Sequence, residues 1–307
     1  MQRLGDGTGV LQDIAELDAL AEKLQQSYNG ARLDDIDLDA LARQLGSEWR
    51  VLAPDTPGRG LSSWSLFPAH DYLYSHYVTV AIALMDHYQL EQVDWLGTSM
   101  GGLLGMLIAA DEQHAPRIAR LVLNDVGPEL DKEGLIALSS YFGVTHRFNN
   151  FANLQAELIK HYASFGITSE AEWRELALNS ARRLPDGSWT YHFDPRIGEQ
   201  FIHDTPRDTW ADWAKIRCPL MVIRGETSAL LAAETLPKMA ESQPSLVTMT
   251  VPGCGHAPML NDTQQVKPIQ RFLTTPLAAP STATPAQPAG TFSQWLADVW
   301  RYLRGGR

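Results

Sequence analysis

The stretch Gly97-Thr98-Ser99-Met100-Gly101-Gly102 lies between a mostly apolar run, Val93–Leu96, and a second apolar run, Leu103–Ala110. This order predicts a short buried strand, a tight turn and then a helix. The G-x-S-x-G spacing is typical of a strained strand-to-helix turn, a nucleophile elbow. In such an elbow, small residues let the backbone fold sharply, and a serine hydroxyl is left exposed at the apex, just before the elbow helix. We therefore predict that Ser99 is a nucleophile, although the same letters also occur in ordinary glycine-rich loops.

A serine nucleophile needs a general base, and His256 is the strongest candidate. It follows a predicted strand, Ser245–Val251, in a loop rich in glycine and proline, Pro252–Leu260. Imidazole gains and loses a proton near neutral pH, so it can take the seryl proton and return it to the leaving group. The remaining histidines lie in helical or polar stretches, where surface or packing roles are expected: His70, His76, His87, His114, His146, His161, His192 and His203.

These motifs together resemble the α/β-hydrolase superfamily, and more narrowly its single-domain bacterial esterase-like members. Further matching segments occur in the family's order: Trp49–Asp55 with Gly58–Gly60, Leu121–Pro128, Cys218–Glu226 and Gly255–Pro258. The resemblance extends from about Asp39 to Leu273. It implies an α/β fold with a mostly parallel sheet flanked by helices and a ligand site at the carboxyl ends of the strands. It also implies hydrolysis without a cofactor or a metal ion.

The acid that would orient the histidine departs from the family's pattern. The resemblance places this acid in the segment Thr227–Leu231, where Ala229 stands instead of aspartate. Asp125, which follows the strand after the elbow helix, and Glu226, which ends the usual acid strand, are two possible replacements. A site without an acid is the third alternative, because Asp125 would also suit a turn that binds local backbone. Losing this carboxylate lowers turnover about ten-thousandfold in serine hydrolases.

The oxyanion hole shows a second departure. The family carries His-Gly after its third strand, whereas the corresponding pair here is Asn29-Gly30, and Glu22–Tyr28 before it is not a buried-strand sequence. The N-terminus of the elbow helix points at the serine, so the Met100 N–H can stabilise an oxyanion. The resemblance implies a second donor, an N–H near Ala31.

The N-terminal region is expected to be missing strands or to be remodelled. Apolar residues within Val10–Tyr28 recur with a helical period, where the family has its first strands. The family's third strand lies between the strands predicted at Arg50–Pro54 and Gln92–Leu96. If residues 22–28 cannot fill that place, the sheet lacks a central strand.

The rest of the chain predicts three further parts beside a core formed by residues 1–128 and 217–273. Residues 129–216 predict a helical cap with helices at 132–143, 151–166, 169–184 and 208–216. Residues 274–290 are rich in proline, alanine and threonine and predict a disordered linker. Residues 291–307 predict an amphipathic helix that folds back or self-associates, with weak membrane docking as an alternative. Aromatic residues in the cap are candidate lid residues, although helix packing explains most of them: Tyr141, Phe142, Trp173, Trp210 and Trp213.

Composition is that of a globular enzyme. Hydrophobic residues make up 44% of the 307 residues and charged residues 20%, enough for a sizeable core. The net charge of −11 argues against a nucleic-acid partner. The chain has two cysteines, Cys218 and Cys254, which form neither a disulfide framework nor a zinc-ligand spacing. No secretory signal and no long apolar run is evident, so a cytoplasmic location is expected. The oligomeric state stays open.

Two functions follow from these observations. The intact elbow and His256 favour a serine hydrolase that cleaves a carboxylic ester, or a related acyl bond, of a small molecule through an acyl-enzyme intermediate. The altered acid and oxyanion positions favour the alternative, a catalytically impaired relative that binds a ligand or a partner. Asp125 decides between them, because only a carboxylate at His256 completes the catalytic set.

Overall fold

Four parallel strands position the candidate site. The structure, a computed structural model, describes residues 38–46, 49–204 and 209–277. Within them, strands β1 (Val93–Thr98), β2 (Ile118–Asn124), β5 (Leu220–Gly225) and β6 (Val247–Val251) pair in the order β1-β2-β5-β6. Strands β3 (Ala181–Arg183) and β4 (Trp189–Tyr191) form a separate antiparallel pair. The α/β class and the parallel sheet predicted from the sequence are confirmed.

Helices precede, connect and follow these strands. They are α1 (Leu38–Leu45), α2 (Pro68–Asp71), α3 (Tyr74–His87), α4 (Met100–Ala110), α5 (Lys132–Phe142), α6 (Phe151–His161), α7 (Glu170–Ser180), α8 (Glu199–His203), α9 (Trp210–Trp213), α10 (Thr235–Ser242) and α11 (Thr263–Thr274). Short 3₁₀ helices occupy Ala115–Arg117, Ala163–Phe165 and Pro195–Gly198.

The two central strands, β2 and β5, are covered on both faces. Along β2, Leu121 and Leu123 face one buried apolar cluster while Val122 faces another. Along β5, Val222 faces the first cluster and Ile223 the second. Successive side chains of a strand point to opposite faces, so a run of apolar residues fits a strand that is buried on both sides. This double core fixes the strand ends from which the candidate site residues emerge.

The strand predicted at Arg50–Pro54 is not formed. Residues 49–56 have neither strand nor helix geometry. A strand needs a neighbour to receive its backbone hydrogen bonds, and none of the described strands pairs with this segment. Residues 22–28, which would have to fill the place of the intervening strand, lie outside the described residues, as does the rest of Val10–Tyr28.

The predicted helices of residues 129–216, called the insert below, end earlier than expected. The helix expected at 169–184 stops at Ser180, because the next three residues pair with β4 across a turn in which Gly187 has a φ of +87°. Alanine, arginine and leucine in this stretch also suit a helix, so periodicity alone did not reveal the strand. The helix expected at 151–166 ends at His161, and the one expected at 208–216 spans Trp210–Trp213.

The chain divides into two units, Met1–Leu273 and Thr274–Arg307. Only residues 274–277 of the second unit are described, so most of the predicted linker and the whole C-terminal helix lie outside the described part of the chain. None of the described helices is both long and apolar enough to span a membrane.

Candidate active site

Ser99 lies at the junction of β1 and α4 with a φ of +51°. A positive φ is strained for a serine, and the neighbouring structure must hold it in place. The tightness of the turn depends on two glycines, because a Cβ on Gly97 would collide with the backbone of Gly101, and one on Gly102 with the side chain of Val126. A Cβ on Gly101, the last residue of the motif, would meet no atom within 4 Å.

The structure brings Ser99, His256 and Asp125 into one hydrogen-bonded series. His256 Nε2 lies 3.1 Å from Ser99 Oγ, and His256 Nδ1 lies 2.7 Å from Asp125 Oδ2. A carboxylate only accepts hydrogen bonds, so Nδ1 carries the proton in this arrangement and Nε2 is left to accept from the serine hydroxyl. The side chain of His256 is 15% exposed and that of Asp125 is fully buried.

Asp125 is held by three polar contacts. Its Oδ1 accepts from the Gly225 N–H at 2.9 Å, and its Oδ2 accepts from Ser228 Oγ at 2.6 Å in addition to His256. A buried carboxylate is costly unless it is hydrogen-bonded, and these donors satisfy both oxygens. The other candidate acid, Glu226, is exposed, and its Oε2 accepts from the Gly253 N–H at 2.8 Å.

Ser228 is a site residue that the sequence did not single out. Its side chain is buried, and its Oγ accepts from the backbone N–H groups of Leu230 and Leu231 at 3.2 and 3.1 Å while donating to Asp125. It belongs to Thr227–Leu231, the segment in which the resemblance places the acid. A hydroxyl in a segment expected to hold a carboxylate was the available signal.

The insert contacts the histidine loop directly. The Ser164 carbonyl accepts from the Gly255 N–H at 2.5 Å. The ring of Phe165 stands edge-on to that of His256, with centroids 6.5 Å apart. A Cβ on Gly255 would lie 2.6 Å from Ser164 Cβ, so the close approach requires glycine here. On the other side of the elbow, Gln200 from the insert is buried, and its Nε2 lies 3.7 Å from Met100 Sδ.

The other predicted site residues divide into two groups. Ala31, the expected second oxyanion donor, lies outside the described residues, as does the pair Asn29-Gly30. Among the candidate lid aromatics, Trp210 and Trp213 pack against the sheet core instead. Three others join the insert's own aromatic cluster: Tyr141, Phe142 and Trp173.

The described residues also include one cluster of possible metal ligands and two cysteines, of which Cys254 lies two residues before His256. Among the described residues, His70, Asp71 and His76 form a trio whose possible ligand atoms lie within 4.8 Å of one another. Both cysteines are free thiols. Burial raises the pKa of Cys218 to about 11 and also raises the pKa of Cys254. Both thiols therefore stay protonated at neutral pH, which agrees with a packing role.

Comparison with known proteins shows that this chain is similar to hydrolases. The family model described as "Alpha/beta hydrolase family" matches residues 29–268. A 3-hydroxybutyrate-oligomer hydrolase from Cupriavidus necator is 36% identical over 250 residues, covering 78% of this chain and 84% of the relative. A 2-(acetamidomethylene)succinate hydrolase from Mesorhizobium japonicum is 22% identical over 234 residues, covering 75% of this chain and 80% of the relative. The crystal structure of an alpha/beta hydrolase from Novosphingobium aromaticivorans superposes with a TM-score of 0.69 at 34% identity, covering 77% and 84% of the two chains.

Proposed function

The chain belongs to the alpha/beta hydrolase family, and from that premise we propose that it is a serine hydrolase that cleaves a carboxylic ester of a small molecule. One observation carries the proposal, the unbroken hydrogen-bonded series from Asp125 through His256 to Ser99. A nucleophile bound to a base, which a third group orients, is the arrangement that covalent acyl transfer needs.

The first half of the reaction forms an acyl-enzyme. Ser99 Oγ attacks the ester carbonyl carbon while His256 Nε2 takes the hydroxyl proton, and Asp125 stabilises the imidazolium that results. The Met100 N–H is in the first turn of α4, where backbone N–H groups have no acceptor within the helix. It is therefore the proposed donor to the carbonyl oxygen as that atom becomes negative. His256 then returns its proton to the departing alcohol oxygen as the ester C–O bond breaks.

The second half of the reaction releases the acid. A water molecule takes the place of the alcohol, His256 removes one of its protons, and the water oxygen attacks the acyl carbon. The bond to Ser99 Oγ breaks, the serine regains its proton from His256, and the carboxylic acid leaves. The same three side chains serve both halves, which is why no cofactor enters the proposal.

The insert is the proposed lid of this site. Phe165 and the Ser164 carbonyl contact the His256 loop, and Gln200 lies against Met100. Residues from two separate parts of the insert therefore lie beside the base and beside Met100, the residue that follows the nucleophile. A lid of this kind excludes water while the acyl-enzyme forms and restricts the length of substrate that fits.

A short 3-hydroxyacyl ester is the proposed substrate class. The relative from Cupriavidus necator is a hydrolase of 3-hydroxybutyrate oligomers, and it is similar to this chain over 84% of its own length. In such an oligomer, an ester joins the carboxyl group of one hydroxy acid to the hydroxyl group of the next. Hydrolysis of that ester by the steps above releases one hydroxy acid with a free carboxylate.

A serine-directed fluorophosphonate probe tests the mechanism. We expect it to label the wild-type protein at Ser99, to fail with Ser99→Ala, and to react far more slowly with His256→Ala. Ser188→Ala is the matched control, because this serine lies in the turn before β4, where its Oγ donates to Asp186 Oδ1 at 2.6 Å. Labelling that survives in Ser99→Ala, or is absent from the wild type, would show that the protein is not a serine hydrolase acting through Ser99.

Hydrolysis of the 3-hydroxybutyrate dimer tests the substrate class separately. We expect release of monomer by the wild type and none above background by Ser99→Ala. If the probe labels Ser99 and the dimer is not cleaved, the mechanism stands and the substrate class is wrong. If neither reaction occurs, ligand or partner binding without catalysis is the better account of the site.

A further inference from the structure

Arg59 sits in a loop that the insert fixes in place. The Gly60 N–H donates to the His192 carbonyl, and the Asp194 N–H donates to the Gly58 carbonyl, both at 2.8 Å. Gly58 and Gly60 have φ values of +81° and +54°, in the left-handed region that favours glycine. The backbone of Arg59 is thus clamped between two glycines, so the direction of its side chain is set by the loop.

Within residues 38–46, 49–204 and 209–277, the guanidinium of Arg59 has no carboxylate partner. Its Nη1 donates to Tyr77 Oη at 2.8 Å, with a longer contact of 3.4 Å to Thr56 Oγ1. The guanidinium carbon lies 5.5 Å from the centroid of the Tyr77 ring. In the part of the chain that the structure describes, no Asp or Glu oxygen forms an ion pair with it, and its Nε and Nη2 donate no hydrogen bond. A half-buried guanidinium with two free nitrogens is suited to receive an anion.

Two lines of contact connect Arg59 with the catalytic residues. On one side, Tyr77 packs in the same apolar cluster as Met100, the residue that follows Ser99. On the other side, the charge of Arg59 acts on the buried Tyr162. Burial raises the pKa of Tyr162, while a hydrogen bond with Tyr141 and the positive charge of Arg59 lower it. The Tyr162 ring lies 4.5 Å from that of Phe165, which stands 6.5 Å from His256. Arg59 is therefore linked to the serine side of the site through Tyr77 and Met100, and to the histidine side through Tyr162 and Phe165.

We propose that Arg59 binds the free carboxylate of the substrate and so selects acidic esters over neutral ones. This inference rests on the proposed function, since it names the group that the same site recognises at the end of a hydroxyacyl chain. Planar guanidinium and carboxylate groups pair through two parallel hydrogen bonds, and Arg59 has Nε and Nη2 available for them. Tyr77 keeps the third nitrogen, Nη1, and holds the fork in one orientation. The carboxylate then fixes how far along the chain the ester bond reaches Ser99.

The test compares one ester with and without its charge. The 3-hydroxybutyrate dimer and its methyl ester differ only in the terminal carboxyl group, so their ratio of kcat/KM isolates the effect of that charge. We expect the wild type to prefer the acid. In Arg59→Gln, KM for the acid should rise about tenfold or more, the loss expected for a hydrogen-bonded charge partner, while the methyl ester keeps its wild-type rate. Arg59→Lys should recover part of the preference, because the charge remains and the fork is lost.

Arg174→Gln is the matched control. Its guanidinium also lies over an aromatic ring, 5.9 Å from the centroid of Phe151, within the insert. Removing this charge should leave the ratio unchanged. Equal losses for acid and methyl ester in Arg59→Gln would assign Arg59 a structural role and overturn the inference. So would a wild type that shows no preference, and in either case hydrolysis of the methyl ester would leave the proposed function standing. If the wild type cleaves neither compound although the probe labels Ser99, the substrate class and this inference fall together.

Discussion

The loop after β2 and the loop after β5 both begin at the carboxyl ends of central strands, yet they present different polar groups. The first presents Asp125, fully buried and bonded to His256. The second, Glu226–Leu231, presents an exposed carboxylate at Glu226 and a buried hydroxyl at Ser228. The family's usual position for the acid lies in the second loop, where this chain has Ala229, and the sequence offers Asp125 or Glu226 as its replacement. The structure places a carboxylate in the first and a hydroxyl that binds it in the second.

The sheet explains why a carboxylate in either of the two loops could contact the histidine. β2 and β5 are hydrogen-bonded neighbours, and Asn124 pairs with Ile223 near their carboxyl ends. Asp125 follows Asn124 directly and Gly225 lies two residues beyond Ile223, so both emerge at these neighbouring strand ends, and the Gly225 N–H donates to Asp125. What the histidine requires is a carboxylate at Nδ1, and either of two adjacent strand ends can supply it. The comparison thus predicts a large difference between Asp125 and Glu226.

The largest effect is expected from removing the buried carboxylate. Asp125→Asn should lower kcat for p-nitrophenyl butyrate about 10³–10⁴-fold, because an amide can donate to Nδ1 and so favours the wrong imidazole tautomer. Glu226→Gln, the matched change in the other loop, should stay within about twofold of the wild type, since surface changes away from a site are usually small. Circular dichroism melts would show whether each variant is folded.

The opposite result would reverse the comparison. If Glu226→Gln loses activity as severely as expected for Asp125→Asn, the acid acts from the loop after β5. The Asp125 contact with His256 would then be structural. A small loss in both variants would mean that no carboxylate assists the base.

Much of this fold could be predicted from local sequence. The elbow requires a strand, a glycine-rich turn and a helix in sequence order, and the residues around Ser99 predict all three. The need for Gly102 rather than Gly101 beside Gly97 could not be predicted, because a Cβ on Gly101 would meet no atom within 4 Å, whereas one on Gly102 would collide with Val126 in the loop after β2. That contact is between residues far apart in sequence.

The sequence predicts most residues of the candidate site, but it does not predict the hydrogen bonds that join them. Ser99 and His256 carry motifs of their own, so the sequence singled them out. Asp125 was one of three alternatives, because its role depends on the pairing of β2 with β5 and on a backbone N–H of Gly225. Ser228 depends on the same pairing. No spacing rule connects residues 103 positions apart, as Ser228 and Asp125 are.

A smaller effect is expected from removing the hydroxyl in the second loop. Ser228→Ala should lower kcat about tenfold with little change in KM. A hydrogen bond to a charged group contributes roughly 1.5–3 kcal/mol, and each 1.36 kcal/mol of barrier is about tenfold in rate. Asp125 keeps the Gly225 N–H in this variant, so the lower end of the range applies. Ser228→Thr keeps a hydroxyl and should restore most of the rate.

The kcat-against-KM split distinguishes orientation of the acid from mere packing. If Ser228→Ala melts earlier and its kcat is unchanged, Ser228 stabilises the loop through Leu230 and Leu231 alone. If Ser228→Thr is as slow as Ser228→Ala, the hydroxyl is not the group that matters. Either result would show that the second loop does not support Asp125 through the Ser228 hydroxyl.

A carboxylate moved between the loops gives the next effect in size. In an Asp125→Asn background, Ser228→Asp should recover about fivefold of the lost kcat, because Ser228 Oγ lies 2.6 Å from the oxygen that bonds His256. Ala229→Asp is the matched control and should recover none, because Ala229 is exposed while its neighbour faces Asp125. The measurement is initial rate on p-nitrophenyl butyrate for both double variants. Recovery by Ala229→Asp alone would show that the histidine is reached from the family's usual position.

The smallest effect is expected from the residue that shapes the second loop. Arg224 is buried; its Nε donates to the Leu231 carbonyl at 2.7 Å and its Nη1 to the Glu226 carbonyl at 2.9 Å, so it joins the two ends of the loop. Arg224→Lys keeps the charge, but an ammonium group at one point cannot span both carbonyls. We expect kcat to fall about twofold and the free energy of unfolding by about 1–2 kcal/mol, the scale of one lost hydrogen bond. Arg217→Lys is the matched control, because Arg217 also donates to two backbone carbonyls, those of Ala214 and Ile216, but outside this loop. If both variants lose kcat equally, or if Arg224→Lys loses as much kcat as Ser228→Ala, the proposed role of Arg224 in holding the second loop is wrong.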